Sequence, residues 1–226
     1  MDAGGILAEN GRGEMRVVPE KTNGQQRFGA VIPAAGMSSR MKAFKPLLPY
    51  GKSTVIESTV ATVLDAVATA VVVLGNRADE VEAVLKQRFG DRVAIVRNPD
   101  YRSTDMLRSV QIGLGALGEC DAFYLLPGDM PSVDSDTFTA LAEAFDEHSR
   151  VIYPTRNGRK GHPPLIHASL ISEICHYRGE GGLRGLLRDV PQQSIELSDK
   201  GITADLDTPE DYADLINDPS HEPGVR

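Results

Sequence analysis

Short apolar runs alternate with amphipathic stretches through most of this chain, and that rhythm restricts the fold more than any other feature. "FGAVIP" (Phe28–Pro33), "ATAVVVLG" (Ala68–Gly75), "RVAIVRN" (Arg92–Asn98), "DAFYLLPGD" (Asp121–Asp129) and "RVIYPT" (Arg150–Thr155) have the length and content of strands. Helical stretches separate them. "STVIESTVATVLDA" (Ser53–Ala66) offers Ser53 or Thr54 as N-cap and turns Val55, Val63 and Leu64 inward. "ADEVEAVLKQRF" (Ala78–Phe89) carries acids early and bases late, as the helix dipole prefers. "DMLRSVQIGLGAL" (Asp105–Leu117), despite its glycines, and "DSDTFTALAEAFDE" (Asp134–Glu147) complete the series. Strands joined by helices lie parallel, and a parallel sheet needs both faces covered. The expected fold class is therefore α/β: a single three-layer α/β/α domain with a mostly parallel sheet. At 226 residues the chain suits one well-buried core.

The rhythm fails at both ends. Residues 1–27 are read as a disordered amino-terminal arm, 28–216 as the domain, and 217–226 as a flexible tail. After Thr155 it changes, to a basic Gly/Pro-punctuated loop, "NGRKGHPPLIH", and to "GEGGLRGLLRD", a glycine-rich approach to a short helix. The net charge of −8 argues against bulk binding of nucleic acid or an anionic membrane. No apolar run approaches the ~20 residues a bilayer span requires. Two cysteines with no CxxC spacing and no secretory signal predict reduced, inert thiols and a cytoplasmic location.

In sheets of this kind the ligand sits beyond the carboxyl ends of the strands. The segments to examine are thus 34–45, 75–77, 97–103 and 127–131. The first belongs to "IPAAGMSSRMKAFKPLLPYGKST", which combines small residues and basic side chains with no acid and so suits a phosphate. "GKST" resembles the end of a P-loop, but the first glycine of that motif falls on Pro46, so Lys52 is read as an exposed turn residue. No G-x-G-x-x-G follows the first strand. What remains is Ala34, Ala35 and Gly36, where backbone N–H groups can form an anion nest, followed by the charges of Arg40 and Lys45. A surface glycine turn with solvated bases is the plainer alternative.

Two acids stand out. Asp129 leaves an apolar strand between Gly128 and Pro131, placed either to ligate magnesium or to serve a turn. Asp207, in "ADLDTPEDYADL", reads as the N-cap of a helix with Pro209 in its first turn. His162 is as readily structural as functional. Gly182 and Arg184 either hold an anion or lead into a packing helix.

Together these stretches carry a resemblance. "PAAGMSSRMKAFKPLLP" resembles the signature loop of GT-A-like nucleotidyltransferases, and within them the molybdenum cofactor cytidylyltransferase group, which is related to the guanylyltransferases. The pattern L-A-A-G-x-S-x-R-M-G-x-x-K-x-L-L-P is met at Ala34, Ala35, Gly36, Ser38, Arg40, Met41, Lys45, Leu47, Leu48 and Pro49. Pro33 replaces an apolar residue and Lys42 the usual glycine. "GDMP" after the fourth strand and "DTPED" near the end resemble the family's metal-binding acids. "NPDYRSTDMLRSV" resembles its base- and sugar-binding segment, with Asp105 in place of a glycine. "GHPPL" resembles the element near its acceptor pocket.

The resemblance implies a transferase in which magnesium is held by Asp129 and Asp207, with Asp205 as substitute. Lys45, Arg40 and Asp129 are its catalytic groups. Nucleotide contacts fall to Ala34, Ala35, Gly36, Ser38, Arg40, Lys45, Asn98, Ser109, Pro127 and Asp129. Acceptor contacts fall to Gly161, His162, Gly182 and Arg184. The implied reaction moves CMP from CTP to the phosphate of molybdopterin and releases pyrophosphate. CTP is preferred because the family's guanylyl loops usually read "AGG" where this chain has "AAG". The alternatives are a GTP-using guanylyltransferase, a sugar-phosphate nucleotidyltransferase, and a non-catalytic carrier of the cofactor to a molybdenum hydroxylase. Nothing in the sequence sets the oligomeric state.

Overall fold

Alternate side chains of the strand Phe28–Ala34 enter different cores. Ala30 and Ile32 pack with Ile56, Val60, Val72 and Phe138, whereas Val31 packs with Val73, Val110, Phe123 and Ile166. The period of two thus feeds both faces of one sheet, each under its own helices. The computed structural model describes residues 5–9, 15–19, 26–37, 41, 43–146 and 148–217.

The chain begins with β1 (Gly5–Glu9), β2 (Met15–Pro19), β3 (Phe28–Ala34), β4 (Pro49–Tyr50), β5 (Ser53–Thr54) and α1 (Val55–Ala66). Next come β6 (Ala70–Leu74), α2 (Ala78–Phe89), β7 (Val93–Arg97), α3 (Met106–Ala116), β8 (Ala122–Leu125) and α4 (Ser135–Glu143). The last third holds β9 (Val151–Arg156), β10 (Arg159–Lys160), β11 (Leu165–His167), α5 (Ile171–His176), α6 (Gly182–Leu187), β12 (Gln192–Glu196) and α7 (Pro209–Asn217).

β3 is central, with β6 and β7 parallel on one side and β8 parallel on the other. β11 pairs antiparallel with both β8 and β9, and β12 pairs parallel with β9. The sheet is therefore mostly parallel, as expected; the antiparallel β10–β11 return was not anticipated. After β7 the chain crosses back over β3 to form β8, so the strand order reverses between β3 and β8. That reversal opens a crevice at the carboxyl ends of these two strands.

The expected elements form within a few residues of their predicted bounds, for local reasons. Thr54 rather than Ser53 caps α1, in a reciprocal capping box with Glu57. α3 tolerates its glycines because Gly113 faces the sheet, where a Cβ would stand 2.5 Å from Val31 Cγ1. α4 stops at Glu143 instead of Glu147, and Asp146 Oδ1 accepts hydrogen bonds from Ser149 N and Oγ, each at 2.8 Å, closing a turn in place of another helical one. β1 and β2 pair with each other and, among the described residues, with no other strand. Otherwise the arm and tail expected at 1–27 and 217–226 fall mainly outside the described residues. Among the described residues no helix is long and apolar enough to cross a membrane.

Candidate active site

Parallel strands end on the same edge, so the exits of β3 and β8 are neighbours. Beyond Leu125 the chain keeps alongside β3: Leu126 N–H donates to Val31 O at 3.2 Å and Gly128 N–H to Pro33 O at 3.0 Å. Gly128 fits closely here: a Cβ would lie 2.8 Å from both Ala34 Cβ and Ile56 Cδ1, so a larger residue would force one of them to shift. Buried Thr59 donates to the Gly128 carbonyl at 3.4 Å. Asp129 therefore emerges directly beside the Ala34–Gly36 loop. Ala34 and Ala35 are buried, whereas Gly36 is exposed, and no described residue comes within 4 Å of where its Cβ would stand.

Lys45 opens the 3-10 turn Lys45–Leu47 and is only 7% exposed. Its Nζ lies 3.3 Å from Asp129 Oδ2 and 2.8 Å from Asp207 Oδ1, joining groups 84 and 162 residues away in sequence. Lys52, by contrast, is exposed in the turn between β4 and β5. Asp207 is not the helix cap anticipated from the sequence. Thr208 Oγ1 accepts from Asp211 N at 3.1 Å while Asp211 Oδ2 accepts from Thr208 N at 2.7 Å, a reciprocal cap that leaves the Asp207 carboxylate turned to Lys45. Asp211 is held below the usual aspartate range, first by the Thr208 hydroxyl and then by the Thr208 N–H.

Asn98 and Ser109 are both buried and meet each other, Asn98 Nδ2 donating to Ser109 Oγ at 3.1 Å. Asn98 also donates to Thr104 Oγ1 at 3.0 Å and accepts from Asp100 N at 3.1 Å, so the pair braces the loop before α3. Asp105 caps α3 by accepting from Arg108 N at 3.2 Å. This gives the acid at the family's glycine position a local reason. Ser38, Arg40 and Lys42 lie outside the described residues.

Of the residues expected to contact the acceptor, Gly161 and His162 occupy the interruption between β10 and β11, with Gly161 N donating to Pro154 O and His162 N to Ile202 O, both at 2.8 Å. A Cβ at Gly161 would stand 2.4 Å from the Ile202 carbonyl oxygen. His162 Nδ1 stands 3.5 Å from Leu125 O; burial holds the imidazole below its ordinary pKa against the opposing pull of that carbonyl, Asp205 and Asp129. Gly161, His162, Arg184 and Asp205 line a cleft of about 700 Å³. Gly182 is not on its wall, but its neighbour Leu183 is. Sequence reasoning missed the cations Arg159, Lys160 and Arg188 on the same walls, although "NGRKG" was already conspicuously basic. It also missed buried Gln111 of α3, whose Nε2 donates at 3.0 Å to both Ile174 O and Tyr177 O, steadying the end of α5 before the glycine-rich loop.

Among the described residues no group of three His, Cys, Asp or Glu gathers to hold a metal. Asp129 and Asp207 supply two hard carboxylates at one cation. That fits a magnesium-like ion, which takes few protein oxygens and completes its shell with water and substrate phosphate.

The pattern of the MobA-like NTP transferase domain matches residues 30–196. The molybdenum cofactor cytidylyltransferase of Escherichia coli (strain K12) is 29% identical over 184 residues, covering 80% of this chain and 92% of that protein. A probable molybdenum cofactor guanylyltransferase of Bacillus cereus (strain ATCC 10987 / NRS 248) is 30% identical over 142 residues, covering 63% and 68%. Among solved structures, a nucleotidyl transferase from Methanothermobacter thermautotroptrophicus superposes with a TM-score of 0.73 at 31% identity, over 84% of this chain and 96% of that one. A manganese complex of Rv0371c from Mycobacterium tuberculosis H37Rv shares the fold, with a TM-score of 0.68 at 22% identity over 86% and 100%. With the strand reversal of a nucleotide-binding sheet and these matches across most of its length, the chain belongs to the family of MobA-like NTP transferase domains and is a nucleotidyltransferase.

Proposed function

We propose that this enzyme transfers CMP from CTP to the terminal phosphate of molybdopterin and releases pyrophosphate. The observation that carries the reading is the meeting of Lys45 with Asp129 and Asp207 beside the Ala34–Gly36 loop. The loop's N–H groups and the Lys45 ammonium would take the triphosphate, offsetting charge that grows on the leaving pyrophosphate. A divalent cation, magnesium in this reading, would be held by Asp129 and Asp207 and, when bound, supplies charge neutralisation across the phosphates. Asn98 and Ser109 hold the base-side loop in place. The cleft lined by Gly161, His162 and Arg184 would orient the acceptor so that its phosphate oxygen faces the α-phosphorus in line. That oxygen is already anionic, so no protein base has to remove a proton. The chain's part is positioning and charge.

Support for CTP over GTP comes from the "AAG" loop and from the longer match to the cytidylyltransferase, 184 residues against 142. The guanylyltransferase relatives make GTP the second reading. Equal CTP, GTP, ATP and UTP, offered with magnesium and molybdenum-loaded molybdopterin, should yield the cytosine dinucleotide by mass spectrometry. A guanine product would reverse the base assignment and keep the mechanism. Asp129→Asn should lower kcat by about 100-fold or more; unchanged turnover would remove Asp129 from the mechanism.

A further inference from the structure

Lys45 sits between the two acids read as the metal's ligands. Its ammonium is buried, and both carboxylates bond to it, at 2.8 and 3.3 Å. Each carboxylate keeps part of its surface in water, 34% of the Asp129 side chain and 40% of that of Asp207, whereas the lysine side chain keeps 9%. The least hydrated member of the trio is thus the cation. A divalent ion approaching the nucleotide-free site meets a positive charge already bonded to both ligands and must displace it. A triphosphate changes this balance, because it offers the ammonium an anion of higher charge just beyond the Ala34–Gly36 loop.

We infer that Lys45 is the resident counter-ion of the Asp129–Asp207 pair, and that it makes the metal–nucleotide complex, rather than the free ion, the form the site accepts. The lysine then has two successive partners: the acids before the nucleotide binds, and the phosphates after. The inference rests on the reading of Asp129 and Asp207 as the metal's ligands. It adds that the same lysine which serves the phosphates suppresses metal binding in their absence. Removing its charge takes away a cation bonded to both carboxylates, and so should strengthen their hold on a divalent ion.

The test uses Mn²⁺ alone, titrated into the nucleotide-free protein, with free ion read by electron paramagnetic resonance. Lys45→Met and Lys45→Gln should each bind Mn²⁺ about tenfold more tightly than the wild type. Adding Asp129→Asn to Lys45→Met should abolish the gain. If both lysine variants bind Mn²⁺ no better than the wild type, or if the gain survives Asp129→Asn, the inference is overturned. The functional reading is judged separately, by dinucleotide formation in the wild type. A wild type that makes product while its lysine variants gain no affinity defeats the inference alone. A wild type that makes none, with variants that do gain affinity, defeats the functional reading alone.

Discussion

Lys45 shows how far residue identity reaches without a structure. Three lysines, Lys42, Lys45 and Lys52, follow the first strand; the Pro46 mismatch with a P-loop set Lys52 aside, and the side chain that meets Asp129 and Asp207 is Lys45. Asn98 and Ser109 were expected among the nucleotide contacts. Their bond to each other was not, because hydrogen-bond partners depend on which way a buried amide turns. The same limit held for Asp207, whose expected capping work is done by Thr208 and Asp211. Gly128 belongs to this scale too. A methyl group there would stand 2.8 Å from Ala34 Cβ and from Ile56 Cδ1. Gly128→Ala should lower stability by about 1–3 kcal/mol through overpacking and depress kcat by shifting Asp129. A thermal melt and a steady-state assay would check both; an unchanged Tm would show that the loop yields freely.

At the scale of elements, the helices and strands with strong periodicity were read to within a few residues, since each is determined by its own side chains and caps. The elements that escaped, β1, β2, β4, β5, β10, β11, α5 and β12, are all of six residues or fewer. A two- or three-residue strand has too few alternations to reveal itself, and it exists here because β8 and β9 offer it partners. α7 marks the boundary between the cases. Its sequence announces a helix start, yet its place comes from Tyr212 and Leu215 packing near Tyr50, Val55 and Leu206. Thr208→Ala should cost about 1 kcal/mol by removing the cap and should reduce turnover by loosening Asp207, measured by denaturant unfolding and kcat. The pH dependence follows in sign. Asp211 is held below its ordinary pKa, so its stabilisation is complete above the unfolded-state value and fades as pH falls through the folded one. Thr208→Ala should flatten that acid limb of the stability curve, and an identical limb in both proteins would count against the cap.

For the whole molecule, the decisive event is the return of the segment after β12 to the sheet's carboxyl edge. Asp199 anchors it, accepting from Asp134 N at 2.9 Å, Thr137 Oγ1 at 2.8 Å and Gly201 N at 2.7 Å. Gly201 then lies so close to Ser132 that a Cβ would stand 2.0 Å from its carbonyl oxygen, and Ile202 O receives His162 N–H at 2.8 Å. One strap thus places both His162 and the acids Asp205 and Asp207. Asp199→Ala should lower stability by about 1–3 kcal/mol, because it leaves the buried Thr137 hydroxyl without this partner. It should also lower kcat more than it raises the KM for nucleotide; unaltered kinetics would show that the strap holds without its anchor. The sequence by itself determined the layered α/β class, the main helices and strands, and the loop suited to phosphate, because periodicity, caps and local charge act between near neighbours. Only the tertiary structure decided that Lys45 is bonded to two acids at once and that α7 leaves Asp207 facing it. Those contacts span scores of residues and follow from where the strands reverse and how the final strap packs, which no local pattern encodes.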